Sequence, residues 1–164
     1  MKATEGGVHG EALEHALGRD PVRARAAVRR LSDRPDLLEQ IALAGERGAA
    51  EAALALLAGG APVVGVALGA RDAVVAKEAA KRLGSDAERK RVIEESRHPL
   101  ARRVALKQLE AEAVLASVAA SELDAELCLA ALERLTERGA LGVVARTARH
   151  EALRVAALAR VEDG

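Results

Sequence analysis

Six residues of one column, Leu31, Leu57, Leu83, Leu109, Leu135 and Val161, follow one another at a constant spacing of 26 residues. Four positions before each stands an alanine: Ala27, Ala53, Ala79, Ala105, Ala131 and Ala157. Three positions before each the column reads Val28, Leu54, Ala80, Leu106, Leu132 and Leu158. Offsets of three and four residues fall on one face of an α-helix, so the period repeats an apolar helical stripe. A fixed period of this length is the mark of a repeat array, and no single unit can bury its stripe alone. The fold class expected is therefore all-α, an α-solenoid of about five and a half helix–turn–helix repeats of 26 residues.

The same register sets the helix boundaries. Ahead of each first helix the column reads Asp20, Glu46, Asp72, His98, Asp124 and His150. Asp is a favoured N-cap because its carboxylate accepts from the free N–H groups of the first turn. Pro21 and Pro99 follow at the position where a missing N–H is harmless. Turn chemistry closes the first helices at Ser32–Pro35, Gly59–Pro62, Gly84–Asp86 and Thr136–Gly139. Shorter second helices follow, with apolar columns such as Leu37, Val63, Leu115 and Leu141. A single domain over 1–164 results, with repeats at 21–46, 47–72, 73–98, 99–124 and 125–150, a partial unit at 151–164 and a leading half-repeat at 10–20. At roughly 10 Å per layer the array spans about 50 Å.

Composition agrees. Ala makes up roughly a quarter of the chain and is the best helix former. Phe, Tyr and Trp are absent, which suits thin helices packed closely, down to about 8 Å. The 25 basic residues balance the 25 acidic ones, against the basic excess of a general nucleic-acid or membrane-surface binder. No run approaches the ~18 apolar residues of a transmembrane helix, and the N-terminus lacks the apolar core of a secretory signal. One cysteine excludes an internal disulfide. A soluble, cytoplasmic protein with no membrane association is expected.

A helix such as ARRVALKQL, a short turn and a helix such as LLEQIA resemble HEAT-type repeats of the short bacterial kind over residues 10–161. The resemblance implies an α-solenoid and, for most of that family, a role as a binding scaffold; a few members are DNA-repair glycosylases or chromophore lyases. This chain has no Phe, Tyr or Trp ring on which a base could stack.

Residues of catalytic or metal-binding type read mostly as structure. His98 and His150 share a repeat position two units apart, roughly 20 Å, whereas common zinc ligation needs each nitrogen about 2 Å from the ion. His9 and His15 are turned about 240° apart on a helix and do not make a zinc pair. Cys128 falls in the column of Ala24, Ala50 and Ala76, so a buried, inert thiol is expected. No serine lies in a nucleophile context, and Gly59-Gly60 is not followed by the Lys-Ser/Thr of a phosphate loop. No catalytic residue, cofactor or metal is expected, and the chain is read as a non-enzyme.

Two surfaces remain. The segment Pro62–Gly69 is apolar on every side, so it is either covered by its neighbours or presents a patch to a partner. If second helices line the concave face, Leu38, Val64 and Leu68, with Ala42, edge a partner-binding groove. Separately, Arg30, Arg82, Arg134 and Arg160 stand in one column, with Gln108 among them and Leu56 interrupting. Stacked, they would form an anion-binding stripe. The expected function is a non-enzymatic protein-binding scaffold or adaptor whose partner protein is unknown. The alternatives are nucleic-acid or acidic-ligand binding through the arginine stripe, or a repeat-array fragment of a larger bacterial protein.

Overall fold

A computed structural model describes residues 3–163, so residues 1, 2 and 164 of the expected domain lie outside the described residues. The chain is an all-helical repeat array: α1 (Ala3–Leu17), α2 (Pro21–Arg30), α3 (Pro35–Ala44), α4 (Arg47–Leu56), α5 (Ala61–Gly69) and α6 (Ala73–Ala80), followed by α7 (Asp86–Glu95), α8 (Pro99–Gln108), α9 (Glu112–Ala119), α10 (Ala125–Arg134), α11 (Arg138–Thr147) and α12 (Glu151–Glu162). Among the described residues there is no strand.

The starts of the even-numbered helices follow the capping column. Asp20 accepts from the backbone of Val22 at 3.0 Å and Arg23 at 3.2 Å. Asp72 accepts from Val74 at 2.8 Å, and Asp124 from Leu127 at 3.0 Å. His98 and His150 also stand at N-caps but make no side-chain cap bond. Their rings reach back instead, Nε2 lying 2.7 Å from the carbonyl of Ala70 and 2.9 Å from that of Leu123. A different device starts α7: Ser85 Oγ accepts from Glu88 N at 3.3 Å while Glu88 Oε2 accepts from Ser85 N at 3.2 Å, a capping box.

The pairing of helices differs from the sequence frame. The closest partners are α1 with α2, α3 with α4, α5 with α6, α7 with α8, α9 with α10 and α11 with α12. Short turns join these pairs, whereas helices on either side of the turns around Ser32 or Gly59 touch little. The unit is thus an odd helix followed by an even one, and the array reads as six such hairpins. The leading half-repeat becomes a full helix, α1, that starts at Ala3 rather than at residue 10. Sequence periodicity alone fixes the length of a unit but not its frame.

Even helices stack on even ones and odd on odd, with the alanine column between the layers. Ala27, Ala53, Ala79, Ala105, Ala131 and Ala157 are all buried, as are Leu31, Leu57, Leu83, Leu109 and Leu135. Burying each Leu contributes roughly 1.5–3 kcal/mol, while Ala lets the backbones approach. In α5 Val63, Val64, Val66 and Ala67 are all buried because α3, α6 and α7 cover them. Of the two readings of that apolar segment, it is the covered one that the structure shows.

Candidate functional site

The spacing of the even helices varies along the array, and it follows the size of one column. α6 and α8 pack most extensively, across Ala80, and α2 and α4 come next, across Val28. Where the column holds leucine the helices part: Leu54 before α6, Leu106 before α10 and Leu132 before α12. A larger side chain in the groove holds the neighbouring ridge away.

The parting between α8 and α10 opens a cleft of about 450 Å³, and it continues into a second of about 430 Å³ toward the helix N-termini. Its floor is apolar, made by Leu106, Leu127 and Ala130, with Leu129 on the rim 43% exposed. One wall, from α8, carries Arg103 and Lys107; the other, from α10, carries Glu126 and Glu133. Arg103 reaches across to Glu126 at 2.8 Å, with both side chains well exposed. An exposed pair of this kind contributes about 0–1 kcal/mol, so it opens readily. Sequence reading missed this site. Its signal was the change from Ala80 to Leu106 in one column combined with opposite charges on consecutive even helices.

The groove expected over the second helices is corrected. Leu38 is 1% exposed and Val64 4%, so both belong to the core, and only Leu68 is partly exposed. Val64 forms the floor of a shallow hollow of about 290 Å³ with Ala61, Ala87, Glu88 and Arg91. The odd helices are buried on two adjacent columns, which an assumption of one buried stripe per helix does not anticipate.

The arginine stripe also takes a different form. Arg82 donates through its two terminal nitrogens to the carbonyls of Leu54 and Leu57. Arg134 does the same to Leu106 and Leu109. Arg160 repeats the pattern to Leu132 at 2.7 Å and Leu135 at 2.5 Å. Each guanidinium therefore closes the C-terminal end of the preceding even helix, where the carbonyls of Leu54, Leu106 and Leu132 accept only a C-cap N–H and the negative end of the dipole lies. At the same position Gln108 Nε2 donates to Lys81 at 3.2 Å. Arg30 has no even helix before it and makes no such bond among the described residues.

An acidic counterpart sits at the other side of the turns. Asp86 and Glu112 share a repeat position, and each carboxylate receives backbone N–H groups from the next unit's turn. Ala111 N donates to Asp86 at 2.8 Å, and Thr136 N donates to Glu112 at 2.9 Å. Partial burial pushes Asp86 upward, but the N–H of Ala111, Arg89 and the N–H of Glu110 outweigh it and hold the carboxyl below its ordinary range. The Thr136 hydroxyl does the same for Glu112.

Cys128 is fully buried, with Sγ 3.5 Å from the Val118 carbonyl. Burial pushes its thiol upward, away from the thiolate that reactivity needs. Among the described residues no three His, Cys, Asp or Glu side chains gather closely enough to hold a metal ion. No helix there is long and apolar enough to cross a membrane.

Comparison of the chain with protein-family models, with curated proteins and with solved structures returns no match. The functional reading therefore rests on the array itself and on the cleft between α8 and α10.

Proposed function

We propose that the chain is a protein-binding scaffold of the HEAT-like helical-repeat type, working as a soluble cytoplasmic adaptor without catalysis of its own. The partner element it takes is a short amphipathic helix, laid in the cleft between α8 and α10. The observation that carries this is an apolar floor at Leu106 and Leu127 set between a basic wall and an acidic one. Grooves between helices receive an apolar stripe at helical spacing, and opposed charges on the two walls fix the direction in which a partner lies. The partner helix has leucine-sized anchors flanked by acidic residues on the α8 side and basic residues on the α10 side. Arg82, Arg134 and Arg160 hold carbonyls, so an acidic-ligand reading of that column would have only Arg30 to rest on.

The test is selection of displayed peptides against the immobilised chain, followed by fluorescence anisotropy of the synthesised binders. Leu129→Glu, and separately Arg103→Glu with Lys107→Glu, are expected to weaken binding at least about tenfold, some 1.4 kcal/mol, with unchanged circular dichroism. Peptides that bind these variants as tightly as the unaltered chain would place the recognition surface elsewhere.

A further inference from the structure

The hairpins of the array do not stack equally well. Among the odd helices α7 and α9 pack least, and among the even helices α8 and α10 pack least. Both minima fall at one junction, between the fourth hairpin and the fifth, and the clefts of about 450 and 430 Å³ lie there. In a linear array each unit touches only its neighbours, so a thin junction divides the array at that point.

This junction is tied at one edge only. At the edge where the even helices end, the chain itself crosses through residues 109–111. Arg134 reaches the carbonyls of Leu106 and Leu109 there. Asp86 of α7 accepts from Glu110 N at 3.2 Å and from Ala111 N at 2.8 Å.

At the opposite edge, where the even helices begin, other junctions carry bonds from layer to layer. Arg71 N donates to the Leu43 carbonyl at 2.7 Å, and the Arg71 guanidinium to Glu46 at 3.2 Å. Arg97 donates to the carbonyls of Gly69 and Ala70 at 2.8 and 2.9 Å. Arg149 pairs with Glu122 at 3.3 Å. In the fifth hairpin the residue at the position of these three arginines is Leu123. The next residue, Asp124, turns its carboxylate to capping α10. Among the described residues only the Arg103–Glu126 pair crosses this edge, with side chains 62% and 82% exposed, and such a pair holds weakly. Gly45 takes the arginine position at the first junction, but there α2 packs extensively on α4.

We propose that the array is two blocks, α1–α8 and α9–α12, hinged at residues 109–111, so that the cleft between α8 and α10 opens and closes as a jaw. Its mouth is the edge at Pro99 and Ala125, where the second cleft lies. Its closed end is the edge held by Arg134 and Asp86. A few residues between helices are enough to absorb such a rotation while the packed blocks move as units. The hinge follows from the junction alone and stands whether or not a partner helix occupies the cleft.

Distances between spin labels, read by double electron–electron resonance, test it. The labels need Cys128→Ala, which restores the alanine that Ala24, Ala50 and Ala76 hold in that column. Ala73→Cys with Ala125→Cys spans α6 to α10 at the mouth, and Lys81→Cys with Glu133→Cys spans the same two helices at the closed end. Pro21→Cys with Ala73→Cys repeats the mouth pair inside the first block. All these positions are exposed, and each pair is two layers apart, roughly 20 Å. The distance distribution of the mouth pair is expected to be about twice as broad as the other two. Equal widths, or a broader distribution at the closed end, overturn the proposal. Hydrogen exchange of the unaltered chain is the second measurement. The amides of α9–α12 are expected to share one opening, exchanging at least about tenfold faster than those of α5–α8, with a step between α8 and α9. A smooth gradient from α12 inward, without that step, overturns it as well.

Discussion

Replacing Arg134 by Ala isolates the clasp between successive layers. Its guanidinium donates to the carbonyls of Leu106 and Leu109 at the end of α8, and the side chain is partly exposed. A hydrogen bond to a charged group contributes about 1.5–3 kcal/mol net, and the charge on a helix C-terminus a further ~0.3–1 kcal/mol. Water reaches the site and replaces part of both bonds, so the sum is discounted to about 1.5–3 kcal/mol for the residue. With a urea slope near 2 kcal/mol/M, the unfolding midpoint falls by about 1 M. Arg30→Ala is the matched control: the same side chain in the same column with no carbonyl to meet, expected to change stability by less than about 0.5 kcal/mol. Both are measured by urea titration at the same protein concentration. Arg134→Lys keeps the charge but not the two-pronged fork, and is expected to fall between. If Arg134→Ala is no more harmful than Arg30→Ala, the carbonyl contacts do not stabilise the array.

Three further outcomes follow from the geometry. Asp72, Asp86 and Glu112 titrate below their ordinary values in the folded chain, so their contribution is present above the unfolded values of about 4 and is lost as pH falls through the lower folded ones. Urea midpoints measured from pH 6 downward should drop below about pH 4.5, and Asp86→Asn should flatten that drop. Gly60 caps α5 with φ 69° and ψ −147°, a region almost confined to glycine, so Gly60→Ala is expected to cost about 1–3 kcal/mol by thermal melting. Space is not the cause, since nothing lies within 4 Å of the added Cβ. Val64→Glu places a carboxylate at a site 4% exposed and should lose about 3 kcal/mol or more; a variant that melts like the unaltered chain would return Val64 to the surface.

What the sequence discloses and what it withholds divide along a physical line. The columns of Ala27 and Leu31 are legible because a helix buries residues at offsets of three and four whatever lies against it. The cap at Asp72 is legible for the same reason, being a local bond within one turn. The roles of Arg82, Arg134 and Arg160 are not local. Each side chain reaches a carbonyl 25 or 28 residues earlier in the chain, so its purpose depends on which helix end stacks below it. An arginine column on a neutral chain reads equally well as a stripe for anions until that neighbour is placed.

The cleft between α8 and α10 lies on the same side of the line. Leu106 in place of Ala80 is one methyl-rich substitution in a buried column, invisible as function, yet it parts two helices and opens the space beside Leu129. The array thereby separates its tasks by residue class. Alanines and leucines decide how close the layers lie, the arginines and the Asp86–Glu112 carboxylates tie each layer to the next, and only what projects beyond those ties is free to meet a partner. That leaves Arg103, Lys107, Glu126, Glu133 and Leu129 around the cleft. Because Arg134 ties α10 to α8 at the end of that cleft, loosening it should alter the width of the cleft as well as stability. A displayed peptide that binds there is therefore expected to lose affinity to Arg134→Ala and to keep it with Arg82→Ala, whose clasp lies two layers away. Equal effects from the two would mean that the cleft is set by the leucine alone.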